Sequence, residues 1–279
     1  MLELAFVILH YKTFKTTIDC VNSILNNVPE APVVIVDNGS CNGTGKKLSE
    51  FYRNNTIVSV LCLENNLGFA NGNNEGIYYI KKHYSPRFIA VMNNDTLIIQ
   101  KNFLEIIVNE YEKSGFSVLG PQICTKDGII TSSPVEYIVD TKKKALVLLL
   151  KRRIKLLLNK LYLNRLIHDV GMVTKHSGKY NNLQRYENVK LHGACWIFSE
   201  NFFKKFNGIN STTFLYFEED ILYLEIKKKG LLTVYNPELK IIHLEDVSTN
   251  SITKSNREKN IFVLENEIQS LRTLIKILN

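Results

Sequence analysis

The sequence predicts an α/β fold in which a mixed, mostly parallel central sheet carries helices on both faces. Two observations lead there. Short apolar runs of strand length alternate with stretches whose apolar residues recur at helical spacing. The runs are apolar at consecutive positions and stop abruptly in Asp, Asn or Gly, as expected of strands buried on both faces whose carboxyl ends border a ligand crevice.

The first strand is Leu4 to Leu9 (LAFVIL), ended by His10 and Tyr11, and Ile18, Val21, Ile24 and Leu25 predict a helix within Thr16 to Leu25. Pro29 and Pro32 bracket a break before the second strand, Val33 to Val36, which stops at Asp37, Asn38, Gly39 and Ser40. A carboxylate at a strand end suits ligand binding; a turn or helix cap uses the same residue types. Lys46 to Tyr52 reads as a helix and Thr56 to Leu63 as a third strand. The next stretch, Glu64 to Gly76 (ENNLGFANGNNEG), holds three glycines and five asparagines. Glycines allow positive φ and close approach of main chain to a ligand, while the amides donate and accept. It reads as a binding loop, with a plain flexible loop as the alternative, leading into a helix over Glu75 to His83.

Within Arg87 to Ile99 (RFIAVMNNDTLII), Phe88 to Met92 forms the fourth strand and delivers Asn93, Asn94 and Asp95 together, either a plain Asx-rich turn or oxygens suited to a hard divalent cation or a ribose. Three βα units before this point imply right-handed crossovers. No GxGxxG follows the first strand and no GxxxxGK[ST] occurs, so phosphates must be held by another device. Phe103 to Lys113 predicts a helix, and Val118 to Cys124 a strand whose Gly120 and Pro121 suggest an edge or a bend.

The formal charge of +8 concentrates between Thr141 and His168, a segment without a single acid. From Lys142 to Leu166 leucines alternate with basic residues, a basic amphipathic pattern whose preferred partner is an anionic membrane surface. Packing on the domain is the alternative. Nucleic acid fits poorly, because leucines rather than aromatics interleave with the charges. Further on, Val189 to Ser199 (VKLHGACWIFS) resumes strand character around Gly193 and Trp196, and Glu200 to Phe206 reads as a helix. In Phe214 to Leu222 (FLYFEEDIL), Glu218, Glu219 and Asp220 open a helix. Acids there complement the helix dipole, and clustered carboxylates also suit a general base. Thr233 to Tyr235 and Ile241 to His243 look like strand, and Asn256 to Leu278 closes the chain as an amphipathic helix with Ile261, Leu264, Ile268, Leu271 and Ile275 on one face.

Composition is that of a globular protein: 279 residues, 45% hydrophobic and 22% charged, fit one large domain or a domain with an appendage. No apolar run approaches the roughly 18 residues of a membrane span, and MLELAFVILH lacks a basic leader, so it is read as the first strand of a cytoplasmic protein. Five cysteines, odd in number and without close pairs, argue against a disulfide framework and a thiolate zinc site.

Taken together, these motifs resemble those of the bacterial family 2 glycosyltransferases of GT-A fold, particularly those that build capsular, O-antigen or other surface polysaccharides. VVIVDNGS is similar to the family's first nucleotide motif, ENNLGFANGNNEG to its second and VMNNDT to its metal motif, with HGACWIF, FLYFEED and IIHLEDVST following in the family's order. The resemblance implies a transferase domain over 1–250, with a donor half at about 1–125, a basic insertion at 141–168 and an acceptor half at about 185–250, followed by a C-terminal helix over 251–279. It implies that Asp37 recognises the nucleobase and that Asn38, Ser40, Asn66, Gly68, Asn71, Asn74, Asn93 and Asn94 line the rest of the nucleotide-sugar site. Asp95 would bind a divalent cation, Mn2+ or Mg2+, approached from the far side by His243. The implied reaction is an inverting single displacement with one carboxylate base. The family's Glu-Asp-x-x-Leu spacing, counted back from Leu222, gives Glu219, whereas matching the Glu-Asp pair gives Asp220. Trp196, Tyr216 and Glu218 are the candidate acceptor contacts, and the acceptor implied is a glycan, often lipid-linked. Two competitors fit less well. A sugar-nucleotide pyrophosphorylase needs a glycine-rich phosphate loop that LHYKTFKTT lacks, and a non-catalytic adaptor leaves Asp37, Asp95 and the acidic cluster without a reason.

Overall fold

The computed structural model describes residues 2–131, 133–163, 179–244 and 256–278. Its first half is three βα repeats: β1 (Leu4–His10), α1 (Phe14–Asn27), β2 (Val33–Asp37), α2 (Thr44–Phe51), β3 (Val58–Cys62) and α3 (Phe69–His83), leading into β4 (Phe88–Asn93). These strands pair in parallel in the order β3-β2-β1-β4, with His10 opposite Asp37 and Leu9 opposite Asn93. The register therefore sets the polar ends of β1, β2 and β4 side by side. Consecutive apolar residues are needed because both faces are covered. Phe6, Ile8, Ile35 and Ala90 pack toward Cys20, Val21 and Ile24 of α1, while Val7, Val36 and Val91 pack toward Ala70, Ile77 and Ile80 of α3.

Helix α3 begins at Phe69, six residues earlier than its sequence suggests, so most of the Asn/Gly-rich stretch is helical. Tertiary contacts override the poor helix propensity of those residues. Gly76 lets the helix lie directly on the sheet, since a Cβ there would sit 2.4 Å from Val7.

The second half adds β5 (Thr96–Ile98), α4 (Phe103–Ser114), β6 (Val118–Cys124), α5 (Lys142–Lys160), β7 (Tyr186–Glu187), β8 (Cys195–Ser199), α6 (Glu200–Phe203), α7 (Glu218–Lys228), β9 (Thr233–His243) and α8 (Asn256–Ile277). The sheet order is completed as β4-β8-β6-β9-β5, with β8 antiparallel to β4 and β6 and with β7 on β9. β6 is thus an inner strand rather than an edge. The expected irregularity is real, but it takes the form of a register shift between Pro121 and Gln122, whose partners jump from Asn236 to Lys240 around Pro237 of β9. The two strand segments expected around Thr233 and Ile241 are one continuous strand.

The basic segment is helical over Lys142–Lys160, and its end at 164–168 lies outside the described residues. One face of α5 packs on the domain: Ala145 and Leu148 join Val139, Ile221, Leu271 and Leu274 in a small third core. Arg152 Nε lies 2.8 Å from Glu267 and Lys160 Nζ 2.7 Å from Glu265, and Arg257 donates to the carbonyls of Asn159 and Lys160. The C-terminal helix therefore packs on its own domain, with Leu264, Ile268 and Leu271 buried. Among the described residues no helix is long and apolar enough to cross a membrane, and all five cysteines are free thiols.

Candidate active site

A cavity of about 240 Å³ opens at the carboxyl ends of β1, β2 and β4. Its walls include Tyr11, Asn38, Asn66, Gly68, Asn93, Asn94, Asp95 and His243, closed from the far side by Phe214, Leu215 and Phe262.

At the β2 end, the Asp37 carboxylate is 6% exposed and accepts hydrogen bonds from the Ser40 amide and, at very short range, from the Ser40 hydroxyl. Ser40 Oγ in turn accepts the Lys12 amide at 2.8 Å. Behind Asp37, the buried His10 ring bonds Thr17 Oγ1 at 2.7 Å and Thr44 Oγ1 at 2.9 Å. Burial pushes its pKa down to about 4, against the opposing pull of Asp37. Asn38 and Asn66 fix the loop that follows β3. Asn38 Nδ2 donates to Asn66 Oδ1 and to the Gly68 carbonyl, and Asn38 Oδ1 accepts the Leu67 amide. Gly68 has φ +83° and lies so close to Phe214 that a Cβ would meet its carbonyl oxygen at 2.2 Å, so no other residue fits there.

Asn71 and Asn74 stand apart from the cavity wall. Asn71 donates to the Leu67 and Ser211 carbonyls, and the buried Asn74 amide brackets Ile209 by accepting its N–H and donating to its C=O. Both side chains point from α3 toward the 209–211 segment, because a helix starting at Phe69 rotates them off the loop position assumed from sequence.

At the β4 end, Asn94 is buried and donates to Thr13 Oγ1 and Thr17 Oγ1, tying the turn to α1. Asn93 lines the cavity beside it. Asp95 is 5% exposed, and its Oδ1 accepts no hydrogen bond although it is buried, a costly arrangement unless something electropositive completes it. His243 Nε2 lies 3.2 Å from that same oxygen, brought there by the antiparallel pairing of β5 with β9. Among the described residues no group of three or more His, Cys, Asp or Glu side chains gathers as a self-sufficient metal cage. Asp95 and His243 instead form a two-sided clamp that fits a hard cation whose remaining ligands are phosphate oxygens and water.

The three acids at the head of α7 have three different environments. Glu218 is buried, accepts from Thr213 Oγ1 at 2.9 Å and has its pKa pushed up to about 7 by burial. Asp220 is also buried; it pairs with Lys190 Nζ at 2.9 Å and accepts the Val139 amide at 2.8 Å. Burial raises its pKa, with Lys190 pulling the other way. Glu219 alone is half-buried, its side chain 28% exposed. It accepts the Gly193 N–H at 2.5 Å and lies 4.0 Å from His192 Nδ1, whose ring centroid is 6.0 Å from that of His243. Asp95, His243, His192 and Glu219 thus follow one another in space, although they come from four separate parts of the chain.

Trp196 is fully buried against Phe69 and Phe198 and presents no face to a ligand: as the inward residue of β8 it belongs to the core. Tyr216 is half-buried in the turn before α7, at φ +74°. The residues after Leu244 in IIHLEDVST lie outside the described residues. Tyr11, His192, Phe214 and Phe262 are site residues that the sequence did not single out. His192 had a signal, standing directly before Gly193 in a motif already marked; Phe262 had none.

The glycosyl transferase family 2 pattern matches residues 5–206, most of the chain. The chain belongs to glycosyl transferase family 2. Among its relatives, the low-salt glycan biosynthesis hexosyltransferase Agl10 of Haloferax volcanii is 24% identical over 218 residues, covering 78% of this chain and 59% of the relative. Glycosyltransferase GlyG of Streptococcus pneumoniae is 29% identical over 39% of this chain and 35% of its own length. Poly-beta-1,6-N-acetyl-D-glucosamine synthase of Staphylococcus epidermidis is 28% identical over 48% and 32%. This family 2 chain therefore spans at most about three-fifths of the length of these curated relatives. Among solved structures, S. aureus TarS superposes over 96% of this chain and 72% of its own at TM-score 0.53 and 14% identity. A structure of GalNAc-T7 with UDP, GalNAc and Mn2+ covers 95% and 48% at TM-score 0.58 and 12% identity. At these identities the likeness is one of fold, the GT-A arrangement.

Proposed function

We propose that this family 2 chain transfers a hexosyl unit from a nucleoside-diphosphate sugar to a hydroxyl of a glycan acceptor, with inversion, in surface polysaccharide synthesis on the cytoplasmic side of the membrane. The acceptor in this reading is a lipid-linked oligosaccharide. The observation that carries the proposal is the buried, hydrogen-bond-poor Asp95 Oδ1 facing His243 at 3.2 Å on the wall of the strand-end cavity, with Glu219 beyond it.

Asp37 and the Asn38 loop hold the base and ribose, and Asn93 faces the ribose or a bound water. Asp95 and His243 would hold a divalent cation, Mn2+ or Mg2+, whose charge would offset that of the leaving nucleoside diphosphate. Glu219 takes the proton from the acceptor hydroxyl while that oxygen forms its bond to the anomeric carbon and the bond to diphosphate oxygen breaks on the opposite face. The Gly193 N–H aims the carboxylate, and His192 fills the space between base and clamp. Asp220, committed to Lys190 and Val139, positions α7 instead.

The test is a panel of UDP, dTDP and GDP sugars assayed for binding and slow donor hydrolysis with and without Mn2+ or Mg2+, on wild type and Asp95→Ala. UDP sugars come first because the GalNAc-T7 structure holds UDP. Metal-dependent binding of one donor series, lost in the variant, supports the proposal. Absence of binding by every donor with either metal overturns it.

A further inference from the structure

Helix α5 is apolar on two faces. The inner face packs Ala145 and Leu148 against α8 and α7. The outer face presents Leu146, Val147, Leu150, Ile154, Leu157 and Leu161, each between 42% and 60% exposed. Eight of the fifteen exposed large apolar side chains among the described residues fall within 146–163. At about 100° per residue those six form one stripe along the axis, opposite the packed face. The same wheel puts Lys142 and Arg153 along one edge of the stripe, Lys151 and Lys155 along the other and Lys143 within it, while Lys144 and Lys160 are paired with Asp140 and Glu265. The helix carries eight Lys and Arg and no acid.

We propose that this outward face of α5 is a docking surface for an anionic lipid bilayer. An apolar stripe bordered on both sides by long basic side chains fits the boundary between acyl chains and headgroups: the leucines enter the hydrocarbon while the ammonium and guanidinium groups reach back to phosphate oxygens. Charge decides against the other occupants. A second copy of this face would bring two rows of bases together, with the neighbouring acids Asp140, Glu265 and Glu267 already committed to Lys144, Lys160 and Arg152, and a nucleic acid would find leucines where bases stack on aromatics. The inner face supplies rigidity. Through Arg152–Glu267, Lys160–Glu265 and the Arg257 bonds to the end of α5, the docking helix is fixed to α8, whose Phe262 lines the cavity. A protein held by this face would work at the bilayer surface, where a lipid-carried acceptor is found.

The inference stands apart from the catalytic proposal, because docking is measured with neither donor nor metal present. The experiment is co-sedimentation of the full chain with phosphatidylglycerol-rich vesicles and with phosphatidylcholine vesicles. Wild type is expected to bind the anionic vesicles and to lose them as salt rises. Leu150→Glu with Leu157→Glu is expected to weaken binding at least about tenfold, and Lys143→Gln with Arg153→Gln by about fivefold per charge, all at unchanged melting temperature. Equal binding to both vesicle types, no binding to either, or a double-Glu variant that binds like wild type overturns the proposal. So does a wild-type dimer that the double-Glu variant turns into a monomer, which would make the face a subunit contact.

Discussion

The two halves of the sheet build their parts of the site by opposite means. In the parallel half, strands β1, β2 and β4 end in register, so His10, Asp37 and Asn93 arrive together because the backbone ladder leaves them no alternative. In the antiparallel half, His192 comes from the approach to β8, Glu219 from the first turn of α7 and His243 from the end of β9. The first half is positioned by one parallel ladder, whereas the second combines the β5–β9 pairing that carries His243 with the Gly193 N–H that holds Glu219. Substitutions in the first half should therefore act mainly on donor binding, and those in the second on turnover and on local stability.

The sharpest test of that contrast is a pair of variants. Asp95→Ala is expected to abolish metal-dependent donor binding, lowering kcat/KM by about a thousandfold or more. Glu219→Gln is expected to lower kcat by about a thousandfold while the donor KM stays within about twofold. Steady-state kinetics read both, and a Glu219→Gln variant that fails to bind donor would break the division between halves. Next in size, Asp220→Asn leaves the buried Lys190 ammonium without its counter-charge and should cost about 3 kcal/mol or more in urea unfolding. If Asp220 acted as the base instead, its loss would cost turnover far more than stability.

Smaller and more diagnostic is the pH dependence. His10 has its pKa lowered from 6.5 to about 4, so between those values the unfolded chain binds more protons and stability is lost as pH falls. Glu218 has its pKa raised from 4.5 to about 7, so across that window the folded chain binds more protons and stability is lost as pH rises. The two effects oppose each other between pH 4.5 and 6.5. Substitution separates them. Relative to wild type, Glu218→Gln should gain stability steadily from pH 4.5 to 7, and His10→Gln should gain it as pH falls from 6.5 toward 4, by up to about 3 kcal/mol in each case at full extent. Urea titrations at several pH values check both slopes.

The same division governs how much could be read from sequence. Asp37 and Asn93 are legible because each directly follows an apolar run, with Asp95 two residues beyond Asn93, and a polar residue at the end of a buried strand has few places to go. Helix α3 was placed six residues late because Asn and Gly argue against helix on propensity, while the bracket between Asn74 and Ile209 that stabilises it spans 135 residues. The inner position of β6 was hidden because Pro121 is accommodated by a shift in a strand that had not been recognised as its partner. Glu219 and Asp220 were indistinguishable in sequence, since neighbours on one helical turn differ only in which way they point. The buried Lys190 and the amide of Val139, neither adjacent to them in the chain, determine that Asp220 turns inward and Glu219 outward. For Trp196 the sequence leaves acceptor stacking and core burial equally open, and its place on a doubly covered strand decides for the core.

Strand β9 carries a practical consequence for anyone dividing this chain. It pairs with β6, β5 and β7 at once, and it begins twenty-seven residues beyond the family match, which ends at 206. A fragment cut at that similarity boundary would retain Asp37 and Asp95 yet expose the ladder edges of three strands, inviting edge-to-edge aggregation. The smallest piece expected to stay soluble therefore includes β9, and it is longer than the family match.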